Sequence, residues 1–365
     1  MRDKKRDPAL AKQLLEKIIP LAQNVASRLG RPLRLMEVCG THTMAIARAG
    51  FKPLLADSIE LRSGPGCPVC VTDRRDIDRI IALAATGQDL VVATFGDMLR
   101  VPGTDSSLER ERAQGALVEI FYSPADAVKY AAEHPRRQVV FIGVGFETTA
   151  PSVALSVAMA RAQGLTNYTV FPINKTVPLV LRQLLEDPEL RLDGLLLPGH
   201  VCTVTGARAF DFVAAAYRMP AVVAGFEPAE LLGAIYLLLK QLESGRAATL
   251  NGYPSLVRAE GNLKAQALLR EYFYPADVSW RGFGVVPQSG LALRPQFAAY
   301  DASVRFPVEV PETDAPDACS CGDVLKGKVT PAECPLFGAA CTPLNPVGPC
   351  MVSSEGACAA RYIYQ

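Results

Sequence analysis

The chain has 365 residues, more than one ordinary domain holds, so two or three domains are expected, each with apolar residues enough for its own core. Hydrophobic residues make up 49% and charged residues 21%, and 38 Lys and Arg against 37 Asp and Glu leave no charge excess, which argues against direct binding of nucleic acid or an anionic membrane. The charged start, Met1 to Asp7, runs into an amphipathic pattern, so no signal peptide is expected, and the longest apolar stretch, Leu231 to Leu239, falls far short of the ~20 residues that span a bilayer. A cytoplasmic protein is expected, and in that reducing compartment ten cysteines call for metal or redox chemistry.

In chain order, apolar residues from Leu10 to Leu21 recur at helical spacing, and the pattern ends at Gly30. Leu33 to Val38 reads as a strand that runs into Cys39-Gly-Thr-His42 and a helix of small residues from Met44 to Ala49. A second strand, Ser58 to Arg62, feeds Gly64-Pro-Gly-Cys-Pro-Val-Cys70, followed by a helix with Ile77, Ile80, Ile81 and Leu83. Asp89 to Phe95 is a buried-type strand that delivers Gly96-Asp97 at its carboxyl end, where ligands bind in α/β folds. Val139 to Val144 leads into Gly145-Phe-Glu-Thr-Thr149, Leu195 onward into Pro198-Gly-His-Val-Cys202, and Val222 onward into Phe226-Glu-Pro228.

These later segments echo the earlier ones: Val144 to Thr149 matches Val38 to Thr43, Leu195 to Thr205 matches Leu61 to Thr72, and Val222 to Pro228 matches Val91 to Asp97. The expected fold class is α/β, with two related Rossmann-like lobes of parallel strands and a third domain carrying a C-terminal cysteine-rich iron-sulfur module. The expected boundaries are 1–36 for an N-terminal helix packing with the third domain, 37–130 and 131–245 for the two lobes, and 246–365 for the third domain. Within the last, a helix is expected near Asn262 to Tyr272, strands and turns from Trp280 to Gly290, and a proline-rich acidic spacer from Phe306 to Asp317.

Six cysteines lie past that spacer in a Gly- and Pro-rich segment too poor in apolar residues to fold alone, so a metal centre is expected to organise it. Cys319-x14-Cys334-x6-Cys341-x16-Cys358 supplies four thiolates for a [4Fe-4S] cluster, with spacing similar to that of ferredoxin-thioredoxin reductase. A zinc site is the alternative, but its paired cysteine knuckles are missing. Cys321 could replace Cys319 as first ligand, and whichever is spare could pair with Cys350.

Cys39 and His42 share a tight strand-to-helix turn, where the helix N-terminus favours a thiolate and soft thiolate with imidazole suits iron, zinc or copper. Cys67 and Cys70, three apart on a stiff Pro- and Gly-rich loop, can close a reversible disulfide or hold a soft metal. His200 follows a strand as a candidate proton donor or ligand, against a plain surface-turn histidine. Asp97 and Glu147 end buried strands and bring carboxylates to a cleft, with helix capping as their alternative. His134 reads as solvent-exposed.

Together, Cys39-Gly-Thr-His-Thr43, Gly64-Pro-Gly-Cys-Pro-Val-Cys70, Gly145-Phe-Glu-Thr-Thr149, Pro198-Gly-His-Val201 and the array ending in Ser353-Ser-Glu-Gly-Ala-Cys358 resemble the HypD family of [NiFe]-hydrogenase maturation proteins over essentially the full length. The resemblance implies a scaffold on which the Fe(CN)2CO unit is put together, working with the small chaperone HypC and accepting cyanide made by HypE with HypF. It also implies a monomer before complex formation and no simple turnover reaction. Carried over by motif, Cys39 holds the iron with His42 near it, and Cys67 and Cys70 form the redox dithiol. Cys319, Cys334, Cys341 and Cys358 bind the [4Fe-4S] cluster, and Asp97, His200 and Glu355 are supporting polar residues. The competing reading is a freestanding iron-sulfur-dependent thiol-disulfide oxidoreductase.

Overall fold

The computed structural model describes residues 8–87, 89–311 and 319–364; the charged start and residues 312–317 of the spacer lie outside them. The described strands are β1 (Leu33–Glu37), β2 (Ile59–Ser63), β3 (Leu90–Thr94), β4 (Leu117–Ile120), β5 (Gln138–Gly143), β6 (Tyr168–Pro172), β7 (Gly194–Pro198), β8 (Ala221–Ala224), β9 (Thr249–Asn251), β10 (Phe273–Trp280) and β11 (Gly284–Leu293). They form a parallel five-stranded sheet of order β2-β1-β7-β8-β9, a parallel four-stranded sheet of order β4-β3-β5-β6, and the antiparallel pair β10-β11.

Strands β3, β7 and β8 are buried at every residue because both faces of each parallel sheet are covered, which is why they read as unbroken apolar runs. Alternate side chains then divide between cores. Val92, Val140 and Ile142 of one sheet meet Met36, Leu195, Leu197 and Val223 of the other in a shared central core that also takes in Cys67, Cys70 and Trp280. On the outer face of the five-stranded sheet, Leu33, Leu35, Leu196 and Val222 pack with residues of four helices, among them Ile18, Ile46, Phe51, Leu231 and Leu238. On the outer face of the other, Val91, Ala93, Val139 and Phe141 pack with Val153, Val157, Phe273 and Phe297.

The architecture is thus α/β with two parallel sheets and a cysteine-rich C-terminal region, and the two sheets share one winding, since 2-1-7-8 and 4-3-5-6 have the same form. The expected lobe boundaries are corrected. β1 and β2 pair with β7, β8 and β9, whereas β3 to β6 make the other sheet, so the chain leaves the first sheet, builds the second and returns. Position in the sheets equates β1 with β3 and β5 with β7, not β1 with β5 as the sequence echo implies. That echo reflects a strand-turn-helix form common to several strand ends.

The N-terminal helix Pro8–Leu29 is also placed differently. Its Ile18, Ala22 and Val25 pack with Leu231, Ile235, Leu238 and Leu239 of the helix Pro228–Ser244, on the five-stranded sheet and not in a third domain. The last helix, Ala357–Tyr364, packs against the helix Gly40–Arg48, which brings the C-terminal region to the carboxyl end of β1. Among the described residues no helix is long and apolar enough to cross a membrane.

Candidate metal and dithiol site

Cys39 leaves β1 in extended conformation and caps the helix Gly40–Arg48. Gly40 N donates to Gly66 O at 2.8 Å, and a Cβ on Gly66 would stand 2.1 Å from Cys39 N. On the other side, a Cβ on Gly40 would stand 2.5 Å from the Cβ of Glu355. Three segments therefore meet main chain to main chain at Cys39, and only residues without side chains let them do so. Beneath them the buried Glu37 accepts from Cys39 N at 3.1 Å and from Thr43 Oγ1. Burial pushes its carboxyl up to about 7.

The helix N-terminus is not the dominant influence on the Cys39 thiol. Burial, and next the charge of Glu355, push its thiol up to about 12, and the backbone N–H groups of His42 and Thr41 oppose this only in part. A helix N-terminus acts over a short range, and here desolvation is the larger effect.

Cys67 and Cys70 are joined as a disulfide at the two ends of one turn, with Pro68 as the first residue of the helix Pro68–Val71 and Cys70 N donating to Cys67 Sγ at 3.1 Å. Both are buried, at 3% and 0% exposure. Cys70 Sγ lies 4.0 Å from Pro349 O, so the disulfide abuts the cysteine-rich region at the residue before Cys350. A strap from the end of β10 binds the two together. Arg281 N donates to Val71 O at 2.9 Å, Arg281 Nε to Thr72 O at 3.0 Å, and a Cβ on Gly282 would stand 2.5 Å from the Cα of Gly322.

In that region Cys319, Cys334, Cys341, Cys350 and Cys358 line one small cavity with Phe337 and Met351. Cys321 Sγ stands 2.8 Å from Cys350 Sγ, and its side chain also hydrogen-bonds the Cys319 thiol, so it adjoins the four-cysteine set that contains Cys319. Among the described residues no three His, Cys, Asp or Glu side chains converge on a point as a single ion requires. A cubane cluster asks for something else, one thiolate per iron around a body several atoms wide, and thiols spread over a cavity wall fit that demand. Backbone donors supply the second requirement. Val347 N donates to Cys341 Sγ at 3.3 Å, and although burial alone would raise the Cys334 thiol, N–H groups of Ser320, Leu336 and Phe337 carry it below its ordinary value. The donor set fits a [4Fe-4S] group.

The polar residues gather at the same strand ends. Ser353 Oγ donates to Asp97 Oδ2 at 3.0 Å, Glu355 N donates to Ser353 Oγ at 3.2 Å, and Thr41 Oγ1 donates to Glu355 Oε1 at 2.6 Å. This chain links the carboxyl end of β3 to the helix after Cys39. His42 is fully buried, with Nε2 3.3 Å from Ala224 O; since a carbonyl only accepts, Nε2 carries the proton and Nδ1 is bare. Nδ1 has no partner, and burial pushes the ring down to about 4, so it stays neutral. Phe226, at the end of β8, touches both imidazoles: 4.6 Å between centroids to His42 and 3.8 Å, stacked, to the exposed His200.

Glu147 is placed differently from the helix-capping alternative. Its Oε1 accepts from Val177 N at 3.0 Å, at the start of another helix, and Oε2 is buried without a partner. His134 is exposed at the C-terminal end of the helix Pro124–Glu133, with Nδ1 2.9 Å from Tyr130 O. Glu37 could have been noticed from the register of its strand, because it shares parity with the buried Leu33 and Leu35. Phe226 and Ser353 stood in motifs without a role of their own, and Arg281 carried no signal, since the partners of all three are remote in the chain.

The family model described as "Hydrogenase formation hypA family", HypD, matches residues 9–365. The hydrogenase maturation factor HypD of Rhodobacter capsulatus is 44% identical over 364 residues, covering 98% of this chain and 96% of the relative. That of Escherichia coli K12 is 43% identical over 365 residues, 100% and 97%. A putative hydrogenase expression/formation protein of Methanocaldococcus jannaschii is 40% identical over 359 residues, 98% of each.

Proposed function

This chain belongs to the HypD family of hydrogenase maturation factors, and from that premise we propose that it is a scaffold for assembly of the Fe(CN)2CO unit, working with HypC and receiving cyanide from HypE, with HypF upstream. The unit is cargo here, held on Cys39 while its ligands are added. Soft thiolate donors suit an iron that carries cyanide and carbon monoxide better than carboxylates would.

The observation that carries the reading is a run of cysteine-bearing segments in contact with one another. The cavity of Cys319, Cys334, Cys341 and Cys358 also touches Cys350, Cys350 faces Cys321, the neighbouring Pro349 meets Cys70, and the loop before Cys67 lies against the main chain of Cys39. A [4Fe-4S] group bound by those four residues would supply electrons singly. The Cys67 and Cys70 pair exchanges two at once, and Cys321 with Cys350 is the dithiol set between them. His42 Nδ1 offers a neutral lone pair three residues from Cys39, Asp97 and Glu355 belong to the hydrogen-bonded chain that reaches Thr41, and His200 stacks on the ring that also touches His42. A freestanding oxidoreductase acting on external protein disulfides fits less well, because a disulfide at 3% and 0% exposure is out of reach of another protein's thiols.

Anaerobically purified protein is expected to be coloured and to hold iron and acid-labile sulfide in comparable amounts, both lost in Cys334→Ala. Stoichiometric zinc in place of iron would overturn the cluster assignment.

A further inference from the structure

We propose that Phe226 is a positioning residue which holds the His200 imidazole at the carboxyl end of β7 by stacking on it, with His42 against the same phenyl ring. The inference rests on the assembly reading for its consequence but not for its geometry. His200 is an exposed side chain with two free torsions, and among the described residues no hydrogen bond reaches either ring nitrogen. Its main chain is held, since Thr203 Oγ1 donates to His200 O at 2.6 Å, yet that leaves the ring unplaced. The contact that places it is Phe226, at 3.8 Å between centroids and 19° between planes.

The phenyl ring is itself fixed from several sides. Phe226 N donates to Glu230 Oε2 at 3.1 Å, inside the capping box that starts the helix Pro228–Ser244. Tyr253 meets the ring edge-on at 6.1 Å. Gly199 lets the turn before His200 close down on it, because a Cβ there would stand 2.3 Å from Ala224 O and 3.2 Å from Phe226 Cε2. Ala224 O is also the acceptor that orients His42, so one strand end sets both imidazoles: its carbonyl holds one and its aromatic ring holds the other. His42 is placed twice and buried; His200 depends on Phe226.

The chain has three histidines, so the full-length protein labelled at histidine gives a countable spectrum, and His134, stacked on Tyr130 instead, is an internal control. In the intact protein the His200 ring C–H signals should be displaced by the ring current of Phe226. Phe226→Leu, or Phe226→Met should the first variant not fold, should return them to the position of a free imidazole while His134 stays put. Phe226→Tyr, which keeps a ring, should restore the displacement. With HypC present, the iron–cyanide infrared bands should fall several-fold in the Leu or Met variant and recover in the Tyr variant. Unmoved His200 signals on loss of the ring, or bands equal to those of the unaltered protein despite the loss, would overturn the proposal. If the unaltered protein formed no iron–cyanide bands at all, the assembly reading would fall, and the ring-current comparison would still decide the stacking.

Discussion

Glu147 lends itself to a quantitative prediction, because its surroundings charge it heavily for ionising. It is 4% exposed, one oxygen accepts a single backbone N–H at 3.0 Å, and the other has no partner. Burial raises its carboxyl from an ordinary 4.5 to about 7. Between those values the folded chain holds a proton that the unfolded chain has already released, so stability falls as pH rises through the interval and the full penalty is present above it. A shift of that size corresponds to about 3 kcal/mol at about pH 8. Glu147→Gln keeps the shape and the acceptor for Val177 N but never ionises. It should therefore be more stable than the parent chain by up to about 3 kcal/mol at about pH 8, with the advantage shrinking to nothing towards about pH 4.5. Denaturant titrations of the two proteins across that range measure the difference. An advantage independent of pH, or a loss of stability at high pH, would mean that the carboxylate has a cationic or donor partner and that the account of this corner is wrong.

Gly66→Ala should cost at least the ~1–3 kcal/mol of an overpacked core, since its Cβ would meet rigid main chain at Cys39 and not a yielding side chain; a melting temperature equal to the parent's would refute the close approach. Cys39, raised to about 12 by burial, should react slowly with iodoacetamide in the metal-free protein, and its rate should still be climbing at about pH 10. A plateau below about pH 9 would mean that the thiol is far more acidic than its burial implies.

Much of this was legible in the chain. The parallel strands announced themselves as apolar runs because they are covered on both faces, and each chemical motif follows one of them directly, so Cys39, the dithiol, Asp97 and His200 could be placed at strand ends. Which strand lies beside which could not be read. The ends of β1 and β5 look alike locally, but pairing in a parallel sheet is set by crossovers and by the shared core of Val92, Val140, Leu195 and Val223, not by motif similarity. What surrounds the Cys39 thiol could not be read for a related reason: Glu355 arrives from the far end of the chain, and burial is a property of the assembled fold. Phe226 escaped notice because its role exists only once β1, β7 and β8 stand side by side.

On the proposed function, Cys39 carries iron bearing cyanide and carbon monoxide. The most direct test of that claim is an infrared spectrum of the anaerobic complex with HypC, recorded for the parent chain and for Cys39→Ala. Cyanide and carbonyl stretches should be present in the first and absent from the second, while both retain the iron and sulfide of the C-terminal group. Unchanged bands in Cys39→Ala would contradict the claim.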